Sequence, residues 1–139
     1  MPDGDADVLA AFEPLEAARA LRYCCRRTVA VVNTRAAPPP SAGVSGPPYP
    51  EIGGMLAALR AKCAAVISLD ATAIAESAGT ARAANSAVLG ALAAAGVLPF
   101  PAERLADAVR SLVPPAVVAA NLAAFERARA EVIHAGRPA

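Results

Sequence analysis

Tryptophan is absent from this 139-residue sequence, aromatic residues make up 4% of it, and histidine occurs once. A chain so poor in aromatics has no platform on which bases could stack. Its formal charge of +1 supplies no basic surface for phosphates, and the two facts together exclude a nucleic-acid module. The lone histidine, His134, stands near the C-terminal end, where a solvated surface role outweighs that of a catalytic base. Cysteine is scarce too: Cys24, Cys25 and Cys63 are odd in number, and no pair has C-x-x-C spacing. That pattern argues against a disulfide framework, a zinc site or an iron–sulfur cluster, and it reads as reduced thiols of a cytosolic protein.

Long apolar runs are also missing. The stretch from Ala83 to Val97 is too short and too small in side chain to cross a bilayer. The first seven residues, Met1 to Asp7, are acidic and do not resemble a signal peptide. The expectation is a soluble, cytoplasmic protein with neither nucleic acid nor membrane as partner. What the chain has in abundance is alanine, within a hydrophobic content of 56%. Such a composition buries apolar surface through many small contacts, with elements packed close together. The length suits one domain over residues 1–139, with a core that needs no metal or disulfide staple.

Three short apolar runs read as strands: Asp7–Ala11, Thr28–Val32 and Ala64–Leu69. The second is the clearest, because its β-branched residues end abruptly at Asn33-Thr34-Arg35 and a Pro/Gly-rich loop that lasts to about Pro50. Glu13-Pro14 opens a helix to about Tyr23, and Glu51–Lys62 forms another with Ile52, Leu56 and Leu59 on one face. Gly53-Gly54 weakens the first turn of that helix and lacks the spacing of a phosphate loop. Ala71–Ala78 is a short helix stopped by Gly79, and Ala81 to Gly96 is helical throughout. A helix of about ten residues starts at Pro101, and a last one covers about Ala116 to His134 with Val118, Leu122, Phe125 and Val132 on one face. The order implies an α/β fold: a partial open sheet of about three parallel strands, flanking helices and a helical C-terminal half. Parallel sheets require burial on both faces, so three strands read as part of a larger sheet or one edge of an assembly.

Candidate site residues gather where parallel strands end, since ligands and partners meet an open α/β sheet at its carboxyl edge. Asn33, Thr34 and Arg35 follow the second strand, Asp70 follows the third and Glu13 the first. Each has a plainer reading as well. Asp70 serves as a helix N-cap, Glu13 supports a helix start, and Asn33 and Thr34 bond the loop backbone as turn residues do. Arg35 is suited to a partner carboxylate or a ligand phosphate. Asn85, set among small apolar residues, is expected to satisfy a backbone or loop group. Cys24-Cys25 is redox-active only if its thiol pKa is depressed, and the nearby cations are Arg26 and Arg27. No nucleophile–base pair is evident, so the residues by themselves imply a binding or assembly module without a catalytic centre.

Several segments, in order, resemble one family. Ala6-Asp7-Val8-Leu9 leading to Phe12-Glu13-Pro14-Leu15-Glu16-Ala17 is similar to a stretch of the gamma domain of 2-oxoacid:ferredoxin oxidoreductases. Val31-Val32-Asn33-Thr34-Arg35 with its prolines, and Tyr49-Pro50, resemble the same domain in indolepyruvate oxidoreductase beta subunits. Asp70-Ala71-Thr72, Ala84 to Leu92, Leu98-Pro99 and Asn121 to Glu126 are similar to its later motifs. The resemblance covers roughly the C-terminal two-thirds of that domain, without its glycine-rich strand–turn–helix and second βα unit. It implies a Rossmann-like accessory part of a complex that oxidatively decarboxylates a 2-oxoacid to an acyl-CoA. Thiamine diphosphate, iron–sulfur clusters and coenzyme A belong to such a complex, and none is expected to be bound by this chain. Its implied partners are the other oxidoreductase subunits or a second copy of itself, with ferredoxin reached indirectly.

Overall fold

A computed structural model describes residues 1–38 and 48–136; the central part of the Pro/Gly loop, residues 39–47, lies outside the described residues. Strands β1 (Val8–Ala11), β2 (Val29–Asn33) and β3 (Ala65–Leu69) form one sheet in the order β1-β2-β3. All pairings are parallel, with Val29 opposite both Val8 and Ala65. Helix α1 (Pro14–Ala20) links β1 to β2, and α2 (Ile52–Lys62) precedes β3. After β3 come α3 (Ala71–Ser77), α4 (Ala84–Ala95), α5 (Ala102–Leu112) and α6 (Val118–Ala135). The expected α/β fold with three parallel strands and a helical second half is the fold observed.

Alternation along β2 divides the core in two, because successive side chains point to opposite faces. Ala30 and Val32 face α1 and α2, in a cluster with Ala11, Ala17, Leu56 and Leu59. Val31 faces the other way, with Ile67, Leu69 and the small residues of α3, α4 and α6. Thus β2 is covered on both faces, whereas Val8, Leu9 and Ala10 of β1 and Val66 and Ser68 of β3 remain half-buried. Both outer strands end the sheet without a further strand among the described residues.

Two helices come together more tightly than any other pair. A Cβ built on Gly90 of α4 would lie 2.0 Å from the carbonyl oxygen of Phe125 on α6. Only a residue without a side chain permits that approach, which also buries Phe125 completely. The seam is pinned by a polar link: Ser86 Oγ donates to Asn121 Oδ1 at 2.7 Å, and Asn121 Nδ2 donates to the Val117 carbonyl at 2.9 Å. The expected α6 face is met at Phe125 and Val132 but not at Val118 and Leu122. Asn121, Ala124, Phe125, Ala128 and Val132 are buried, while Val118 and Leu122 are partly exposed. The stretch read as one helix from Ala81 divides into a 3₁₀ turn, Ala81–Ala83, and α4.

Gly90→Ala therefore tests the seam. Helix propensity favours alanine by roughly 1 kcal/mol, but overpacking against backbone costs about 1–3 kcal/mol or more. The clash wins, and thermal unfolding should show a midpoint lowered by several degrees. An unchanged or raised midpoint would show that α4 and α6 separate without penalty.

Candidate functional site

The carboxyl ends of all three strands meet at Asn33. That residue is 4% exposed and its side chain makes four hydrogen bonds. Nδ2 donates to the Phe12 carbonyl at 3.1 Å, just beyond β1, and to Thr72 Oγ1 at 3.2 Å, just beyond β3. Oδ1 accepts from Ala71 N at 3.0 Å and from Arg35 N at 3.2 Å. Every donor and acceptor of the amide is used, which is what burial of a polar group demands. Thr34 continues the ladder, its N–H donating to the Leu69 carbonyl at 2.9 Å.

Around this hub the helices α1, α2 and α3 are each capped by an acidic residue. Glu13 caps α1, accepting from Glu16 N at 3.0 Å. Glu51 caps α2, accepting from Gly53 N at 2.9 Å and Gly54 N at 2.7 Å. A Cβ on Gly53 would lie 2.7 Å from that carboxylate, so the paired glycines make room for the cap. Asp70 caps α3, accepting from Ala73 N at 2.8 Å. A helix N-terminus is an anion site in waiting, and here all three are filled by the chain's own carboxylates.

Arg35 is engaged within the chain. Its guanidinium meets Asp70 at 3.0 Å and Glu76 at 3.7 Å. Burial alone would raise the Asp70 pKa, but the Ala73 N–H and the Arg35 guanidinium outweigh it and hold it below its ordinary value. Tyr49, at the far end of the long loop, donates its hydroxyl to Glu13 and accepts from Leu15 N at 3.2 Å. Burial first, and then the Glu13 carboxylate, push the Tyr49 phenol up to about 12.

The structure thus brings Glu13, Asn33, Thr34, Arg35 and Asp70 to one edge. Asn85 is apart: it is exposed on the first turn of α4 and shares no hydrogen bond with this group among the described residues. The buried amide of the helical half is Asn121 instead. Tyr49, Thr72 and Glu76 are not among the candidate site residues read from the sequence, although Tyr49 and Thr72 lie in motifs that carry the resemblance. Thr72 had a signal, standing two residues after a capping aspartate, but its partner lies 39 positions away.

The arrangement positions chain segments: each hydrogen bond named here joins one part of the chain to another. A diphosphate or coenzyme A phosphate seeks free N–H groups and unpaired cations, and this edge presents filled caps and an engaged arginine. An iron–sulfur cluster needs convergent thiolates, and among the described residues no group of three or more metal-ligating side chains converges. No helix among them is long and apolar enough to cross a membrane.

Replacing Asn33 by Ala should cost about 2–4 kcal/mol, since it strands buried backbone groups of two other segments. Asn33→Asp should cost a comparable amount, because it sets an oxygen against the Phe12 carbonyl. Denaturant unfolding that leaves both variants as stable as the parent would refute the hub. For Asp70, a folded pKa below the unfolded one means its contribution is present above the usual carboxylate range and is lost as pH falls through the folded value. Asp70→Asn should therefore flatten the loss of stability between neutral and acid pH. An unaltered acid limb in pH-dependent melting would contradict that assignment.

A family described as pyruvate ferredoxin/flavodoxin oxidoreductase matches residues 1–131. Similar proteins include "Indolepyruvate oxidoreductase subunit IorB" of Archaeoglobus fulgidus, 36% identical over 99% of this chain and 68% of that protein. The protein of the same name from Methanothermobacter thermautotrophicus is 36% identical over 90% of this chain and 64% of its own length. That from Thermococcus kodakarensis is 30% identical over 91% and 63%. The chain spans about two-thirds of the length of these relatives. No solved structure matches. With the match running over nearly all of its length, the chain belongs to the pyruvate ferredoxin/flavodoxin oxidoreductase family.

Proposed function

We propose that this chain is the accessory, gamma-type part of a 2-oxoacid:ferredoxin oxidoreductase of the indolepyruvate class, supporting oxidative decarboxylation to an acyl-CoA. The observation that carries this reading is the similarity, over 90–99% of the chain, to proteins named as subunits of indolepyruvate oxidoreductase. In this role the chain contributes position and contact surface. Thiamine diphosphate, iron–sulfur clusters and coenzyme A are held by the other subunits, and ferredoxin is met by those subunits.

The partner surface has two parts in this reading. One is the outer fringe of the carboxyl edge, half-buried Thr34 and exposed Arg35, carried on a base that Asn33, Glu13 and Asp70 hold rigid. The other is the sheet itself, whose outer strands carry half-buried apolar residues that a partner would cover. Asn85, exposed at the start of α4, adds a neutral hydrogen-bonding group to the same assembly.

Co-expression with the larger, thiamine-binding subunit tests the proposal. The two should elute together, and Arg35→Ala should weaken the association several-fold while the isolated chain keeps its melting temperature. The isolated chain should hold no stoichiometric iron and oxidise no 2-oxoacid. A chain that stays monomeric beside that subunit would favour a free-standing binding module, and an iron–sulfur chromophore in the isolated chain would overturn the accessory role.

A further inference from the structure

Helix α5 lies against α4 and α6, with Val109 buried there. It also shows the solvent a second apolar stripe. Leu105, Ala108 and Leu112 follow the i, i+3, i+7 spacing of one helix face. Leu105 and Ala108 are half-buried, and Leu112 is 82% exposed. Just before the helix, Phe100 stands 44% exposed between Pro99 and Pro101.

This surface has a groove at one end and a knob at the other. Phe100, Arg104, Leu105 and Ala108, with the two prolines, line an open groove of about 510 Å³ beside the start of α5. Leu112 stands out from the last turn, about 12 Å along the axis from Arg104 at the rise of an α-helix. An apolar stripe joined to a groove, unlike a scattered leucine, marks an interaction surface.

The placement of groove and knob on one helix names the occupant. Antiparallel pairing of two α5 helices about a two-fold axis carries each Leu112 to the other's groove, because such a contact is made in both directions at once. The axis then passes near Ala108, midway between Arg104 and Leu112, where a methyl group lets the helices come close. The charges agree. Arg104 is exposed at the groove and enters no ion pair among the described residues. Antiparallel pairing sets it beside the last turn of the other α5, whose final carbonyls lack intrahelical partners and attract a cation. A formal charge of +1 gives two copies little mutual repulsion.

We propose that α5 is a self-pairing helix. Two copies of this chain associate about a two-fold axis near Ala108, and Leu112 of each is seated against Phe100 and Leu105 of the other. The stripe includes no residue of the carboxyl edge or of the sheet, so this contact is additional to theirs. One helix from each copy makes a small interface, and the dimer is of the weak, reversible kind.

Sedimentation velocity on the full chain alone tests this, and with no second subunit present its result is independent of the accessory role. The chain should pass from monomer to dimer as its concentration rises to about 100 µM, the range of a small interface. Leu112→Glu should raise the dissociation constant about a hundredfold, because the two-fold axis loses the contact twice. An unchanged melting temperature at low concentration checks that this variant stays folded. Phe12→Gln, at the carboxyl edge, should leave the dimer intact. Under mild oxidation Ala108→Cys should link the two copies through position 108, as peptide mapping would show. A chain that stays monomeric at the highest concentration, a dimer lost with Phe12→Gln or indifferent to Leu112→Glu, or no link between the two copies of position 108 would each overturn the proposal.

Discussion

One buried amide holds the ends of three strands at a common level. A parallel strand that runs out of ladder partners exposes its last carbonyl and the next N–H, and an α/β edge collects several such groups. Asn33 answers for two of them, the Phe12 carbonyl and the Ala71 N–H, while also fixing Thr72 and Arg35 N. Asparagine suits the task because it carries donors and acceptors on one short planar group. The depth of β2 within the sheet places it equidistant from both neighbours. The start of α3, the turn into α1 and the departure of the long loop all depend on that placement.

Alanine and glycine play the complementary part in the helical half. Small residues bury little area each, so cohesion there comes from closeness. The Gly90–Phe125 contact brings α4 backbone against α6 backbone, and Phe125 supplies the one large fully buried ring. Dispersion rises steeply as surfaces approach, which lets a core nearly devoid of aromatics cohere. The cost is intolerance: a seam closed onto backbone cannot adjust as a flexible side chain would.

Much of this was legible from the chain. The strands announced themselves as β-branched runs ending in polar residues, and Glu13 and Asp70 stood where caps are favoured. The family resemblance carried function further than any residue pattern did. What escaped the sequence was non-local or a matter of phase. Asn33 reads as a turn residue until Phe12 and Thr72 are placed beside it. Asn85 drew notice as a polar residue among alanines, yet one step along the helix, about 100° of rotation, makes Ser86 the buried partner and leaves Asn85 in water. On α6, Phe125 and Val132 mark the buried face in the sequence, but size alone adds Val118 and Leu122 to it, whereas Ala124 and Ala128 define the close seam. Tyr49 gave no local sign of its bond to Glu13, 36 positions away.

Acidic caps on three successive helices have an electrical consequence beyond the helices they stabilise. Glu13, Glu51, Asp70 and Glu76 sit about one end of the sheet with Arg35 as the cation paired to Asp70 and Glu76, whereas at the other end Arg22, Arg26, Arg27 and Lys62 are interleaved with Asp3, Asp5 and Asp7. The carboxyl edge therefore keeps a surplus of negative charge, and a neighbour that offers cations is drawn to it more strongly at low salt than at high salt.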